Sequence, residues 1–284
     1  MKKVLALVLT LVLALGLAAC GTSGKNGSEG GDKEKAGDKK ESKLVVGASN
    51  VPHAEILEKA QPLLKEKGID LKVEVFQDYV LPNKALEDKT LDANYFQHIP
   101  YLNSQKAEHG YDFVSAGGIH IEPIGVYSKK YKSLEDLPEG AEILMSSSVA
   151  DHGRMLSMLE SKGLIKLKEG VEKTEAHLED IAENPKKLKF KYEYEAALLP
   201  QAYNNNEGDA VLINSNYALD VGLNPVEDSI AIEESDSPYV NIVAVRKGEE
   251  NDEKIKALVE VLHSKEIQDF ILEEWGGSVV PVSE

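Results

Sequence analysis

The chain is 284 residues long, 42% hydrophobic and 29% charged, an ordinary globular composition that argues against a fibrous repeat or general disorder. Its 32 basic against 49 acidic residues give a formal charge of −17, which repels phosphate backbones and excludes nucleic-acid binding. A single cysteine excludes an intramolecular disulfide, a CxxC pair and a cysteine-built zinc site.

Lys2 and Lys3 precede an apolar run from Val4 to Ala19, interrupted by Thr10 and Gly16. This is the form of a secretory signal, and it is short for a membrane span. The run closes on Leu17-Ala18-Ala19-Cys20, which resembles a bacterial lipobox. Residues 1–19 are therefore expected to be a lipoprotein signal peptide and Cys20 to carry acyl chains. A plain signal with a chance cysteine is the alternative. Residues 20–43 continue as Gly, Ser, Lys, Glu and Asp with almost nothing to enter a core, which predicts a flexible tether. Beyond it, 24 basic against 44 acidic residues make the body more acidic than the whole chain. A membrane-anchored protein with its body outside the cytoplasm follows, since more than one acyl chain gives stable anchoring.

From Leu44 the pattern is α/β. Lys43–Ala48 reads as a strand, followed by Asn50 as a helix cap and Pro52 in the first turn. Ile56, Leu57, Ala60, Leu63 and Leu64 then share a helical face that ends at Gly68. Asp70–Phe76 alternates as a strand. Leu91–Phe96 predicts a strand before a helix over 98–109, and Glu142–Ser146 a strand before a helix over 152–162. Asp209–Ile213 leads to a short helix from Ser215, and Val240–Val245 to one over 252–263. Repeated strand-then-helix order predicts α/β sheets with ligand sites at the strand carboxyl ends. No glycine-rich phosphate motif follows any of these strands, which argues against a nucleotide fold. About 240 residues of such units exceed one comfortable core and predict two lobes. Proline-bearing crossings at Ile121–Val126 and Ser235–Tyr239 place lobe I at 44–123 plus 239–284 and lobe II at 124–238.

No enzyme is indicated. None of the seven histidines lies in HExxH and no GxSxG occurs. His53-Ala-Glu55 and His120-Ile-Glu122 are short His/Glu pairs, but i, i+2 spacing diverges on a helix. A metal-binding protein using His53, His98 and His120 remains an alternative, as does a surface peptidase with no nameable nucleophile. The body has only two arginines, Arg154 and Arg246. An arginine fork holds a planar carboxylate where lysine offers a point charge. Arg154 is placed at the opening of a helix, whose N–H groups favour an anion; a surface ion pair is its other reading. Arg246 reads as a surface residue. Tyr79, Tyr95, Phe96, His98 and Tyr101 cluster around strand ends in a chain that is only 6% aromatic. They could wall a pocket or pack a core. Asn214 and Asn216, and Asn241, flank strands and could either bind a small ligand or cap and turn.

Read together, AEILE, DYVLPN, LDANYFQHIPYL, YSKKYKSLEDLP, GLIKLK, ENPKKLKF, INSNYALDVGLNP and DSPYVNIVAVRKG resemble, in order, the NlpA-type methionine-binding lipoproteins, substrate-capture subunits of ABC importers. The resemblance runs from about Lys43 to the end. It implies a two-lobed periplasmic-binding-protein type II fold with a ligand cleft between the lobes, and it accounts for the signal, acyl site and tether. It implies that Arg154 holds an amino-acid carboxylate, that Asn216 and Asn241 contact the ligand's polar end, and that Tyr79, Phe96, His98 and less firmly Tyr101 line the side-chain pocket. On that reading Arg154→Ala loses ligand without losing stability. The expected partners are methionine or a related amino acid, and an ABC permease with its ATPase. A monomer with no cofactor, metal or catalytic residue is expected.

Two segments depart from the family pattern. Ser49-Asn50-Val51-Pro52 replaces a Thr-Pro-Gly-Pro-like turn, and Ser146–His152 replaces an Asn-Asp-Pro-Thr-Asn-like loop. Both are expected at the cleft. A different apolar amino acid or a methionyl dipeptide is therefore an alternative ligand, and an adhesin with a vestigial cleft an alternative role.

Overall fold

The structure is a computed structural model that describes residues 42–234 and 237–282, all within the compact unit Lys39–Glu284. The expected signal peptide, the acyl site at Cys20 and most of the tether lie outside the described residues. Ser42 and Lys43, assigned to the tether from composition, already belong to the first strand. Among the described residues no helix is long and apolar enough to cross a membrane.

In chain order the first part runs β1 (Ser42–Ser49), α1 (Glu55–Glu66), β2 (Ile69–Phe76), α2 (Leu81–Glu87), β3 (Ala93–His98), α3 (Ile99–His109) and β4 (Phe113–Ile121). The chain then builds β5 (Gly125–Tyr127), β6 (Glu142–Ser146), α4 (Val149–Ser161), β7 (Lys166–Leu167), β8 (Ile181–Glu183) and β9 (Lys189–Tyr194). It continues through α5 (Leu199–Asn204), β10 (Ala210–Ile213), α6 (Ser215–Asp220), α7 (Pro225–Asp228) and β11 (Ala231–Ile232). It closes with β12 (Val240–Arg246), α8 (Glu253–Leu262), α9 (Lys265–Trp275) and β13 (Val280–Pro281). The helix α9 was not expected from the pattern.

Two main sheets result. One has the order β13-β4-β12-β3-β1-β2 and the other β11-β5-β10-β6-β9, with β7 and β8 forming a small pair. Each sheet is covered on both faces, as an α/β layer structure requires. On the first, Ile56, Leu57, Ala60 and Leu64 of α1 join Leu258 and Ile271 over Val46, Tyr95 and Val243. Leu86, Leu102 and Phe113 fill the opposite face. On the second, Met155, Leu156 and Leu159 of α4 pack over Ile143 and Leu212, while Leu199 and Ala218 cover Leu144 and Ile213.

Strand direction sets the position of the site. β1 runs parallel to β2 and β3, so their carboxyl ends lie along one edge. β12 is antiparallel to both β3 and β4, which brings the end of β4 and the start of β12 to that same edge. In the second sheet β6 and β10 are parallel. The chain passes between the sheets after β4 and returns before β12. Both passages therefore leave from the edge where the strand ends, and the polar residues beyond them, are gathered.

Two local expectations change and a third gains detail. Asn50 does not cap a helix; its amide donates to Asp220 Oδ1 at 2.8 Å, and residues 50–54 form an irregular turn. The fourth helix starts at Val149 rather than 152, so Arg154 sits in its second turn and not at its opening. Arg246 is half-buried at the surface, pairing with Glu249; its Nη1 also donates to the carbonyls of Leu86 at 2.6 Å and Leu91 at 2.8 Å, tying β12 to the α2–β3 connection.

Candidate functional site

Between the sheets lies a cavity, and the residues expected at the site, Tyr79, Phe96, His98, Tyr101, Arg154, Asn216 and Asn241, all line it. They arrive from many elements. Tyr79 follows β2, Phe96 and His98 end β3, and Tyr101 opens α3; Arg154 comes from α4, Asn216 from α6 and Asn241 from β12. The cavity also takes in His53, Gln97, Glu122, Asp151, Asn214 and Ser215. Of these, the sequence had raised His53 and Glu122, as members of short His/Glu pairs, Asn214, as a strand-flanking amide, and Asp151, only within the loop Ser146–His152 expected at the cleft.

The aromatic wall is continuous. Tyr79 has ring centroids 6.1 Å from Phe96, 5.9 Å from Tyr101 and 4.9 Å from Tyr217. Tyr95, grouped with them on sequence grounds, is instead fully buried and its ring meets His53 and His120. The departure lies in strand alternation, which sends Tyr95 to the opposite face from Phe96. A buried amide cluster supports the end of β3: Gln97 Nε2 donates to Asn83 Oδ1 at 2.8 Å and to Asn94 Oδ1 at 2.9 Å.

Several hydrogen bonds cross between residues of the two sheets' ends. Tyr79 donates its hydroxyl to Asn216 Oδ1 at 2.6 Å. His98 Nδ1 accepts from the Tyr101 backbone N–H at 3.1 Å, which fixes the proton on Nε2. That Nε2 donates to Asp151 Oδ1 at 3.1 Å, and Asn214 Nδ2 donates to Asp151 Oδ2 at 3.3 Å. Burial opposes the charge on Asp151, but the His98 hydrogen bond and nearby Arg154 outweigh it and hold the carboxyl below its usual range.

Arg154 is buried and already engaged. Its Nε donates to Glu233 Oε2 at 3.0 Å, its Nη2 meets the same oxygen, and Nη2 also donates to the Glu122 backbone carbonyl at 2.7 Å. Its Nη1 is 4.0 Å from Asp151 Oδ1, and the guanidinium lies 4.7 Å over the Tyr239 ring. The guanidinium therefore bonds both passages between the sheets, at Glu122 and at Glu233. Burial disfavours its charge, yet Glu233 and Asp151 keep it fully protonated. An arginine so placed is bonded into the fold, so its removal is now expected to cost stability. Gly153 beside it is required by close approach: a Cβ there would lie 2.7 Å from the Thr174 carbonyl oxygen and nearer still to that of Lys173.

At the other side of the cavity Glu122 is buried, and burial raises its carboxyl above the usual range against the pull of His53 and Arg154. Its Oε1 is 2.7 Å from His120 Nε2 and 3.1 Å from His53 Nε2. His120 and Glu122 converge because they leave an extended strand, where i and i+2 share a side; the divergence expected of a helix does not apply. His53 Nε2 is also 3.0 Å from Asn241 Oδ1. Burial lowers His53 to about 4 and His120 to about 3, so both rings are neutral near pH 7. Two histidines and a carboxylate are a donor set for zinc, but tetrahedral zinc holds its donors roughly 3.3 Å apart, and 2.7 and 3.1 Å are hydrogen-bond lengths. His98, the third histidine considered for a metal, is committed to Asp151.

Three polar atoms on the cavity wall, His53 Nδ1, Asn214 Oδ1 and Asn216 Nδ2, are buried without a hydrogen-bond partner. Such orphans are rare in native proteins and mark a place for a missing partner. Two α/β sheets with a charged, aromatic-walled cavity at facing strand ends are consistent with the two-lobed type II binding-protein fold, and the solved structures below share this architecture. Residues 44–283 match the NlpA lipoprotein family, and the chain belongs to that family.

Known relatives agree. A methionine-binding lipoprotein of Bacillus subtilis is 54% identical over the full length of both chains. A solved lipoprotein of the YaeC family from Enterococcus faecalis, described as a pheromone precursor, is 58% identical with a TM-score of 0.83, covering 85% of this chain and all of that one. A solved nutrient-binding protein from Burkholderia cenocepacia, bound to methionine, is 45% identical with a TM-score of 0.80, covering 84% of this chain and all of that one.

Proposed function

We propose that this chain is the substrate-capture subunit of an ABC importer, binding methionine or a closely related amino acid between two lobes and releasing it to a permease and its ATPase. The lobes are assigned as 44–123 plus 239–284 and 124–238. The observation that carries the reading is the cavity's chemistry. Arg154, two buried carboxylates, Glu122 and Asp151, and orphaned amide atoms face an aromatic wall. This suits a zwitterion with an apolar side chain.

The ligand carboxylate is assigned to the Arg154 side of the cavity. Its ammonium is assigned to Glu122, whose carboxylate has no bonded cation of its own. Asn216 and Asn241 complete the polar end, and Tyr79, Phe96, His98 and Tyr101 receive the side chain. The names of the relatives support methionine as the first ligand to try. No reacting group is called for: the chain works by binding and closing. Acylation at Cys20 would hold it at the outer face of the membrane, with residues 21–41 as a tether.

The test is a calorimetric titration of L-methionine into protein stripped of captured ligand by unfolding and refolding. Micromolar affinity corresponds to about −8 kcal/mol and is expected at one site per chain. Absence of binding by folded protein would redirect the search to methionyl dipeptides and other apolar amino acids.

A further inference from the structure

Glu122 has an unusual set of neighbours for a buried acid. The donors that reach its carboxylate are the ring nitrogens of His120 and His53 and the Asn216 backbone N–H. None carries a formal charge when the imidazoles are neutral. Among the described residues the buried cation nearby is Arg154, which bonds the Glu122 backbone carbonyl and pulls on the carboxylate without a hydrogen bond to it. Behind these donors sits Tyr95, whose hydroxyl meets His120 Nδ1.

The proton positions follow from these partners. A neutral imidazole has one N–H and one lone pair. If His120 presents its lone pair to the Tyr95 hydroxyl, its proton is on Nε2 and is donated to Glu122 Oε1. His53 Nε2 faces two acceptors, Glu122 Oε1 and Asn241 Oδ1, so it too carries the proton. His53 and Asn241 line the cavity, whereas His120 and Tyr95 are fully buried behind its wall. The two concealed residues therefore reach a ligand through Glu122, which His120 bonds, or through His53, against whose ring both pack.

We propose that His120, held in the Nε2–H tautomer by Tyr95, is a positioning residue that keeps Glu122 ionised and aimed as the receptor for the ligand's ammonium group. The proposal rests on the amino-acid reading above. It makes the relay from Tyr95 to Glu122 responsible for selecting α-amino ligands over their des-amino counterparts. Donation to a charged acceptor is the strong kind of hydrogen bond, and losing one commonly weakens binding by roughly tenfold to a hundredfold.

The experiment compares L-methionine with 4-(methylthio)butanoate, which keeps the carboxylate and thioether but has no ammonium. Affinities are measured by calorimetry, with competition for the weaker ligand, in the full chain and in its His120→Leu, His120→Gln and Tyr95→Phe variants. His120→Leu should lose roughly tenfold or more for L-methionine and little for the des-amino acid. His120→Gln, whose amide N–H reaches the place of Nε2, should recover most of the loss. Nitrogen-15 shifts of the wild-type His120 ring should report a bare Nδ1. Equal losses for both ligands, no loss, or a selective loss that Gln does not restore would each overturn the proposal. If His120→Leu does not fold, Tyr95→Phe decides: it should show a smaller selective loss, and an equal or absent one overturns the proposal. Wild type that binds neither compound overturns the amino-acid reading itself, which is seen before any variant is made.

Discussion

Arg154 Nη2 donates to the backbone carbonyl oxygen of Glu122 at 2.7 Å. A buried cation and the residue bearing a buried carboxylate are thus joined through the main chain, which leaves that carboxylate without a bonded cation. Glu122 begins the first passage between the sheets, and Glu233, the other partner of Arg154, follows β11 in the second. Arg154 therefore ties ligand chemistry to the segments about which two lobes would hinge.

Arg154→Ala is expected to abolish methionine binding and to destabilise the ligand-free protein by about 3 kcal/mol, because it strands the Glu233 carboxylate. Urea denaturation of both proteins measures the second effect. An unchanged midpoint would show that the Ile124 N–H and Ser237 hydroxyl, which also donate to Glu233, suffice with water to hold its charge.

Tyr79→Phe removes the donor to Asn216 Oδ1 and keeps the ring in the aromatic wall. With both Asn216 side-chain atoms then short of a partner, affinity for methionine should fall roughly tenfold, while the urea midpoint moves little. Equal affinities in the two proteins would mean that this bond is replaced on ligand entry.

Gly153→Ala places a methyl group against the backbone of Lys173 and Thr174. Backbone cannot yield as a side-chain tip can, so a loss of about 1–3 kcal/mol is expected, measurable by chemical denaturation. Because the clash would shift α4, ligand affinity should fall with it.

Acid should destabilise the fold through its buried imidazoles. The unfolded chain takes up protons on His53 and His120 near pH 6.5, whereas the folded protein resists until about 4 and about 3. In that window the unfolded state binds more protons, so stability falls as pH falls, by up to about 1.4 kcal/mol per pH unit for each histidine. Glu122 works in the opposite sense, since its raised carboxyl lets the folded state hold a proton more readily. His53, His120 and the likewise lowered, buried His152 against one raised buried acid leave a net fall between about pH 6.5 and 4.5. His120→Gln should make the curve of urea midpoint against pH shallower; parallel curves would sink the assignment of His120 as a buried neutral ring.

Chelator treatment should leave methionine affinity unchanged, because His53, His120 and Glu122 are spaced as hydrogen-bond partners. A loss of affinity restored by added zinc would reverse that reading.

Local pattern determined much of this protein. Alternation was sufficient for β2, a helical stripe for α1 and short apolar runs for β1, β6 and β12, because each pattern is set by which faces the residues must bury. The scarcity of arginine and the clustering of aromatics pointed to Arg154, Tyr79, Phe96 and His98, and the ordered motifs from AEILE to DSPYVNI indicated the family. Tertiary structure decided what those residues touch. His53 meets Asn241 across 188 positions of chain, and Arg154 meets Glu233 across 79; no periodicity records a contact made by strand order. Even the short pair at His120 and Glu122 was read wrongly, since whether i and i+2 converge depends on the element that carries them, and that element was settled by its place beside β12.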